Sequence, residues 1–265
     1  MIKDITIGQY IPGESFVHKL DPRLKILISL LFIINLFLVN NFKGYLFVFI
    51  FILTTILISN LSFKYIYNGL KPILVLLLIT AVLNIFMTGG EKLIFHWGFI
   101  NVYKEGLVIA AFMIVRLVFL IIGTSILTLT TSPIELTDGI ENLLNPFKRI
   151  GVPAHELAMM MTIALRFIPT LMDETDKIMK AQMARGADFE SGNLVSRAKS
   201  LIPILVPLFI SSFRRADELA MAMESRCYKG GEGRTRMKQL MITKKDYIAS
   251  LAFTLLIVIT IVSRK

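Results

Sequence analysis

The sequence predicts an all-α polytopic membrane protein with about five transmembrane helices, joined to a helical segment of one short and two long helices. Three observations carry this. Of 265 residues, 55% are hydrophobic and only 18% charged, against about 25% charged in a typical soluble domain. The apolar residues gather in five runs near the ~20 residues that a helix needs to cross a bilayer. Between the fourth and fifth runs lies a stretch too charged to span repeatedly and too apolar to be a linker.

The first run, residues 26–42, lies between Lys25 and Lys43. The second covers residues 44–63, so only Lys43 and Gly44 separate the two, and a tight turn is expected there. The third covers 72–90. The fourth, 106–134, is broken by Arg116, and the fifth, 247–263, is followed by Arg264 and Lys265. Residues 1–21 carry charges and a Pro-Gly turn where a cleavable leader would be apolar, so the first run is expected to serve as its own insertion signal. Arg116 would cost about 2.5–3.5 kcal/mol in the bilayer. Two readings stay open for it: a partner or solute path inside the bundle, or snorkelling to an interface.

The basic residues orient the chain. Seventeen of the 29 Lys and Arg lie between residues 135 and 245. With the N-terminus inside, the short inner segments carry six more and the outer ones five. The net charge of +10 then meets the anionic inner face of a membrane, not nucleic acid. Three parts follow: residues 1–132 with four spans, 133–245 on the cytoplasmic side, and 246–265 with the last span.

Residues 133–245 read as helices. Ser132-Pro133-Ile134-Glu135 is a capped start, and that helix stops before Asn145-Pro146. A second helix runs from Gly151-Val152-Pro153 to about Arg185, with a kink expected at Pro169. A third runs from about Asn193 to Arg226, bent at Pro203 and Pro207. Gly230-Gly231-Glu232-Gly233 opens a loop. At an offset of 41, Asp176 matches Asp217, Ala181 matches Ala222 and Arg185 matches Arg226. The two ends read Ala184-Arg185-Gly186 and Ser225-Arg226-Cys227, each followed by an aromatic residue, Phe189 or Tyr228. An arginine at a helix end complements the dipole. Small neighbours also leave room for a carboxylate to grip it in a bidentate pair. Ten of the 13 methionines fall between Met159 and Met241, where adaptable side chains suit either a core or a changing partner surface.

Catalytic signals are missing. There is no GxxxxGK[ST] and no HExxH. His18, His96 and His155 are far apart, and one cysteine makes neither a disulfide framework nor a thiolate zinc site. Asp173, Glu174 and Asp176 read as a solvated face, since adjacent helix positions point apart.

Three pieces in order resemble one family. Gly8-Gln9-Tyr10-Ile11-Pro12-Gly13-Glu14-Ser15, then His18-Lys19-Leu20-Asp21-Pro22-Arg23-Leu24-Lys25, resemble the N-terminal signature of the transmembrane subunit of energy-coupling factor transporters. Arg166-Phe167-Ile168-Pro169 resembles its second-helix motif. The Ala-Arg-Gly triplet and its second copy resemble its paired coupling motifs, although Ser225 and Cys227 depart from the commoner residues. The resemblance implies a non-catalytic subunit. It links two cytoplasmic ATP-binding-cassette ATPases, expected as a heterodimer, to one or several interchangeable membrane subunits that capture a vitamin or other micronutrient. Its two long helices would cross. Ala184, Arg185, Gly186, Ser225, Arg226 and Cys227 would dock on the ATPases. Met159, Met160, Met161, Leu201, Leu205 and Phe209 would meet the substrate-binding subunit. The chain would hold no cofactor, ATP and magnesium being bound by the partners. Its opening looks like the type shared among vitamin-binding partners. The rival readings are a permease that binds its own solute, for which only Asn35, Asn84, Arg116 and scattered Thr and Ser offer polar groups, and a polytopic membrane enzyme, for which no acid–base constellation is visible.

Overall fold

A computed structural model describes residues 10–90, 92–97, 100–189, 193–231 and 239–263; of the signature residues, Gly8 and Gln9 lie outside these. Helix α1 (Pro22–Leu38) opens on Asp21, whose side chain accepts from the Arg23 amide, with Pro22 in the first turn. It stops at Val39, and Asn41 precedes α2 (Phe42–Ser59). The first turn is therefore residues 39–41, and Lys43 and Gly44 belong to α2. Asn40 and Asn41 compete for backbone hydrogen bonds and so favour the turn. Helix α3 (Phe63–Leu70), a 3-10 turn (Lys71–Ile73) and α4 (Leu74–Met87) follow. An antiparallel hairpin, β1 (Leu93–Trp97) with β2 (Ile100–Tyr103), leads into α5 (Lys104–Thr130). It is the one departure from helix among the described elements, and the sequence reading did not anticipate it.

Among the described residues, four stretches are long and apolar enough to cross a membrane: Phe42–Ser59, Phe63–Met87, Lys104–Thr130 and Lys244–Val262, the last being α10. The expected count was about five. Helix α1 has 17 residues, about 25 Å at 1.5 Å per residue, which is short of the ~30 Å hydrocarbon core.

The chain divides into two compact units, Gly8–Gly139 with Leu240–Lys265, and Ile140–Gln239. In the first, α5 packs against α1, α2, α3 and α4, and α10 packs on α1 and α2. Phe32, Leu36, Val48, Ile52, Phe253 and Leu256 fill its core. Leu30, Phe37, Phe49, Leu78 and Leu251 are exposed, as suits a surface solvated by lipid. Inside, Thr260 donates to the Asn35 carboxamide oxygen at 2.8 Å, worth about 0.6 kcal/mol between membrane helices. Arg116 has partners within the bundle. Its guanidinium donates to Tyr45 Oη at 3.0 Å and to the Val39 carbonyl at 3.2 Å, and lies over the Phe37 ring. Val39 caps the C-terminus of α1, so the cation also faces the negative end of a helix dipole.

The second unit holds α7 (Ala154–Ala184), α8 (Leu194–Ser200) and α9 (Ile202–Ser225). Helix α6 (Pro133–Leu144) begins in the first unit and ends in the second. The expected third helix is thus two: α8 ends at Leu201 and α9 restarts with Pro203 in its first turn. A proline lacks the N–H that a continuous helix would use there, and it disfavours helical backbone in the residue before it. Pro169 and Pro207 stay inside α7 and α9.

Candidate functional site

The ends of α7 and α9 close in the same way. After Arg185, Gly186 takes a left-handed conformation at φ +89°. Its amide donates to the Met183 carbonyl at 3.0 Å, and the Ala187 amide donates to Gln182 at 3.0 Å. After Arg226, Cys227 takes φ +58°. Its amide donates to Glu224 at 2.9 Å, and the Tyr228 amide donates to Met223 at 3.0 Å. Both are Schellman closures, and every partner in one is 41 residues from its counterpart in the other. Ala184, Arg185, Gly186, Ser225, Arg226 and Cys227 are all exposed. Each arginine thus stands as the C-cap of a long helix, on a backbone whose end is closed without its side chain.

Cys227 occupies a conformation that favours glycine, at about 1–2 kcal/mol for a residue with a Cβ. Cys227→Gly is expected to slow amide exchange at Tyr228 severalfold, whereas Gly186→Val, which forces a branched side chain into the same conformation, should speed exchange at Ala187. Unchanged exchange in both would mean that these ends are held by something other than the left-handed residue.

Of the apolar positions expected to meet a membrane partner, Met160, Met161, Leu201, Leu205 and Phe209 are exposed, and Met159 is half-buried. Phe209 lies 5.4 Å from Phe213, ring centre to ring centre, on the same face of α9. Ile202, Val206 and Ile210 are exposed beside them. So large an apolar surface on paired helices marks a contact with something other than water.

The acidic cluster on α7 is not a uniform solvated face. Glu174 accepts from Ser211 Oγ at 2.6 Å and from Arg215 Nη2 at 3.0 Å, and it is three-quarters buried. It joins α7 to α9. Residues 174 and 215 are themselves 41 apart, so the two repeats meet at matching positions. The offset of 41 holds this signal too, in residues that complement one another and are not alike. Beyond the joint, 11 residues of each helix lead to Arg185 and Arg226, arms of about 16 Å at 1.5 Å per residue.

The N-terminal signature folds into a polar cluster in the first unit. Pro12 and Gly13 are exposed, and Gly13 lies against the His18 ring. His18 bonds Ser15 Oγ at 2.6 Å and the Ile11 carbonyl at 3.1 Å, and the Ile11 amide donates to Leu129 at the end of α5. Burial draws the imidazole below its ordinary value, against the raising effect of the Ile11 carbonyl. Asp21 takes Arg23 Nη2 at 2.7 Å, and the same nitrogen donates to the Leu240 carbonyl at 3.3 Å. Burial alone would raise the Asp21 carboxyl; the hydrogen bonds and charge of Arg23 outweigh it and hold it below the carboxylate range. The Asp21 amide donates to Asp246 Oδ1 at 2.7 Å, while Asp246 Oδ2 takes the Thr243 amide and hydroxyl at 2.6 and 2.8 Å. Lys25, immediately before the first apolar run, is buried. Its ammonium donates to the carbonyls of His18 and Thr130 at 3.1 and 3.0 Å and to Thr131 Oγ1 at 3.3 Å. In the sequence Lys25 stands within the signature without a role of its own, and Thr131 and Asp246 carry no signal beyond the capping-box spacing of Thr243 and Asp246.

Among the described residues, no group of three or more His, Cys, Asp or Glu is placed to hold a metal ion. The family model described as cobalt transport protein (CbiQ) matches residues 13–237. A protein of Clostridium kluyveri named energy-coupling factor transporter transmembrane protein EcfT is 73% identical over 265 residues, covering 100% of this chain and 98% of the relative. Proteins with the same name from Thermosediminibacter oceani and Bacillus subtilis are 62% and 52% identical, covering 99% and 93% of this chain and 99% and 93% of the relatives.

Proposed function

The chain belongs to the family of energy-coupling factor transporter transmembrane proteins, and from that membership we propose that it is the subunit that passes the work of two ATPases to a substrate-binding membrane partner. The supporting observation is the pair of exposed arginines, Arg185 and Arg226, each ending a long helix in the same Schellman closure. A guanidinium held at a rigid helix end suits a bidentate grip by a carboxylate on a partner. Two such ends on arms of equal length suit two similar ATPase subunits, one at each end. ATP and its magnesium are bound by those subunits.

The apolar faces around Met160, Leu205 and Phe209 are where the substrate-binding partner seats. Closing and opening of the ATPases moves the helix ends, and the joint at Glu174 keeps α7 and α9 moving as one piece, so the faces shift and the partner tips in the bilayer. Such coupling requires the partner's two states to contact these faces differently. The N-terminus and the coupling helices lie on the cytoplasmic side of the plasma membrane. The cargo is a vitamin or another micronutrient, chosen by the partner.

The test is co-purification. The tagged chain is drawn from gently solubilised membranes and everything that accompanies it is identified. Two ATP-binding-cassette ATPases and a small membrane protein are expected. A chain that emerges alone and itself binds a solute would replace this reading with that of a permease.

A further inference from the structure

Three helices of the first unit begin at one place, and each carries its own carboxylate. Asp21 caps α1. Glu135 accepts from the Ser132 amide at 3.3 Å while Ser132 Oγ accepts from the Glu135 amide at 3.2 Å, which starts α6. Asp246 closes the capping box of α10. A carboxylate at a helix start is favourable by itself. Here direct bonds tie the three starts together: Asp246 accepts the Asp21 amide, and the Lys25 ammonium bonds Thr130 and Thr131 just ahead of α6. All three direct bonds of that ammonium go to uncharged oxygens, on the N-terminal segment and at the end of α5.

Two of these helices lie where the chain passes between its two units: it leaves within α6, after Gly139, and it returns at Leu240, just ahead of α10. On the outgoing side, Thr130 and Thr131 are almost wholly buried, and both bond Lys25. Gly139 lies so close to Pro22 and Ile26 that an added Cβ would stand 3.0–3.3 Å from them, so α6 is seated directly on the start of α1. On the returning side, Arg23 holds the Leu240 carbonyl and Asp246 holds the Asp21 amide.

We propose that Lys25, with Asp21, Arg23 and Asp246, is a positioning hub that clamps both chain crossings to the membrane helices, so that movement of the coupling helices is passed into the bundle and not absorbed by slack at the crossings. This rests on the coupling reading above. A buried ammonium held by oxygens of the N-terminal segment and of the end of α5 suits the task, because moving either away leaves it short of acceptors in a region of low polarity.

The experiment uses the complete complex, purified with its partners and reconstituted in liposomes of mixed phosphatidylethanolamine and phosphatidylglycerol. Two quantities are read. One is amide exchange in the first turns of α6 and α10. The other is tritiated vitamin imported per ATP hydrolysed, with riboflavin, folate, biotin and pantothenate offered singly. Lys25→Met removes the ammonium at similar volume. It is expected to speed exchange in both first turns at least tenfold, to leave exchange in α2 unchanged, and to lower import per ATP about tenfold while ATP hydrolysis continues. Lys25→Arg, which keeps the charge, should recover part of the import. Exchange or import per ATP at the wild-type level in Lys25→Met overturns the proposal. If Lys25→Met does not assemble, Asp246→Asn decides, since it keeps an acceptor for the Asp21 amide and removes one charge; the same two shifts support the hub and wild-type values overturn it. The wild-type complex separates the two claims: absence of ATPases or of ATP-driven import there sinks the coupling reading itself, whereas wild-type import with unaffected variants sinks the hub alone.

Discussion

Replacing Arg185 and Arg226 together with alanine is expected to strip the ATPases from the complex while leaving both helices formed. The helix ends do not use the arginine side chains; they close through the backbone bonds of Gly186, Ala187, Cys227 and Tyr228. Loss of the ATPases would therefore report a lost contact, not a melted helix. A charge-assisted hydrogen bond contributes about 1.5–3 kcal/mol, so each single substitution should weaken docking by roughly 10- to 100-fold. Two sites on one rigid piece act through effective concentration, so either arginine alone should retain part of the association and the double variant far less. Lysine at both positions keeps the charge but loses the planar fork, and should fall between wild type and alanine. Retained ATPase binding and uptake in the double alanine variant would send both arginines back to the role of dipole-complementing helix ends.

Reversing the charge at the joint gives the second large effect. Glu174→Arg sets a cation beside Arg215 and removes the acceptor of Ser211. The ion pair alone, a quarter to a third exposed, is worth only about 1 kcal/mol after screening. The hydroxyl bond to a carboxylate adds about 1.5–3 kcal/mol. Repulsion in the reversed variant comes on top. ATP-driven uptake is expected to drop at least tenfold in Glu174→Arg and in Arg215→Glu, with the ATPases still bound, because α7 and α9 no longer move together. The exchanged pair, Glu174→Arg with Arg215→Glu, should recover most of the uptake. An exchanged pair as poor as either single variant would show that the joint does not transmit movement through this contact.

Much of the candidate site was legible because it depends on local chemistry. The helix ends at Arg185 and Arg226 announce themselves by small residues and by a repeat at offset 41. The start of α6 is visible in Ser132 and Glu135, and it forms as written. The joint at Glu174 was missed for a definite reason. In a pair of related helices that meet, contacts join matching positions, and these are often complementary, not alike. Glu174 and Arg215 match in position and oppose in charge, so a search for similarity passes over them. The hub at Lys25 was missed because its contacts are distant in the chain: Lys25 bonds Thr130, 105 residues on, and the Asp21 amide bonds Asp246, 225 residues on.

The sequence by itself determined the class of this protein. Apolar runs near the thickness of a bilayer, a long amphipathic stretch between two of them, and caps at the helix ends are all properties of neighbouring residues, fixed by hydrophobic transfer and backbone hydrogen bonding. Only the tertiary structure decided where the first turn falls, that Arg116 is satisfied by Tyr45 and Val39, that Glu174 joins α7 to α9 and that Lys25 is held between the N-terminal segment and the end of α5. Each of these depends on which distant groups share a region of low polarity, where an ion or a donor must find a partner or be costly to bury. Local sequence names the groups that need partners; packing chooses them.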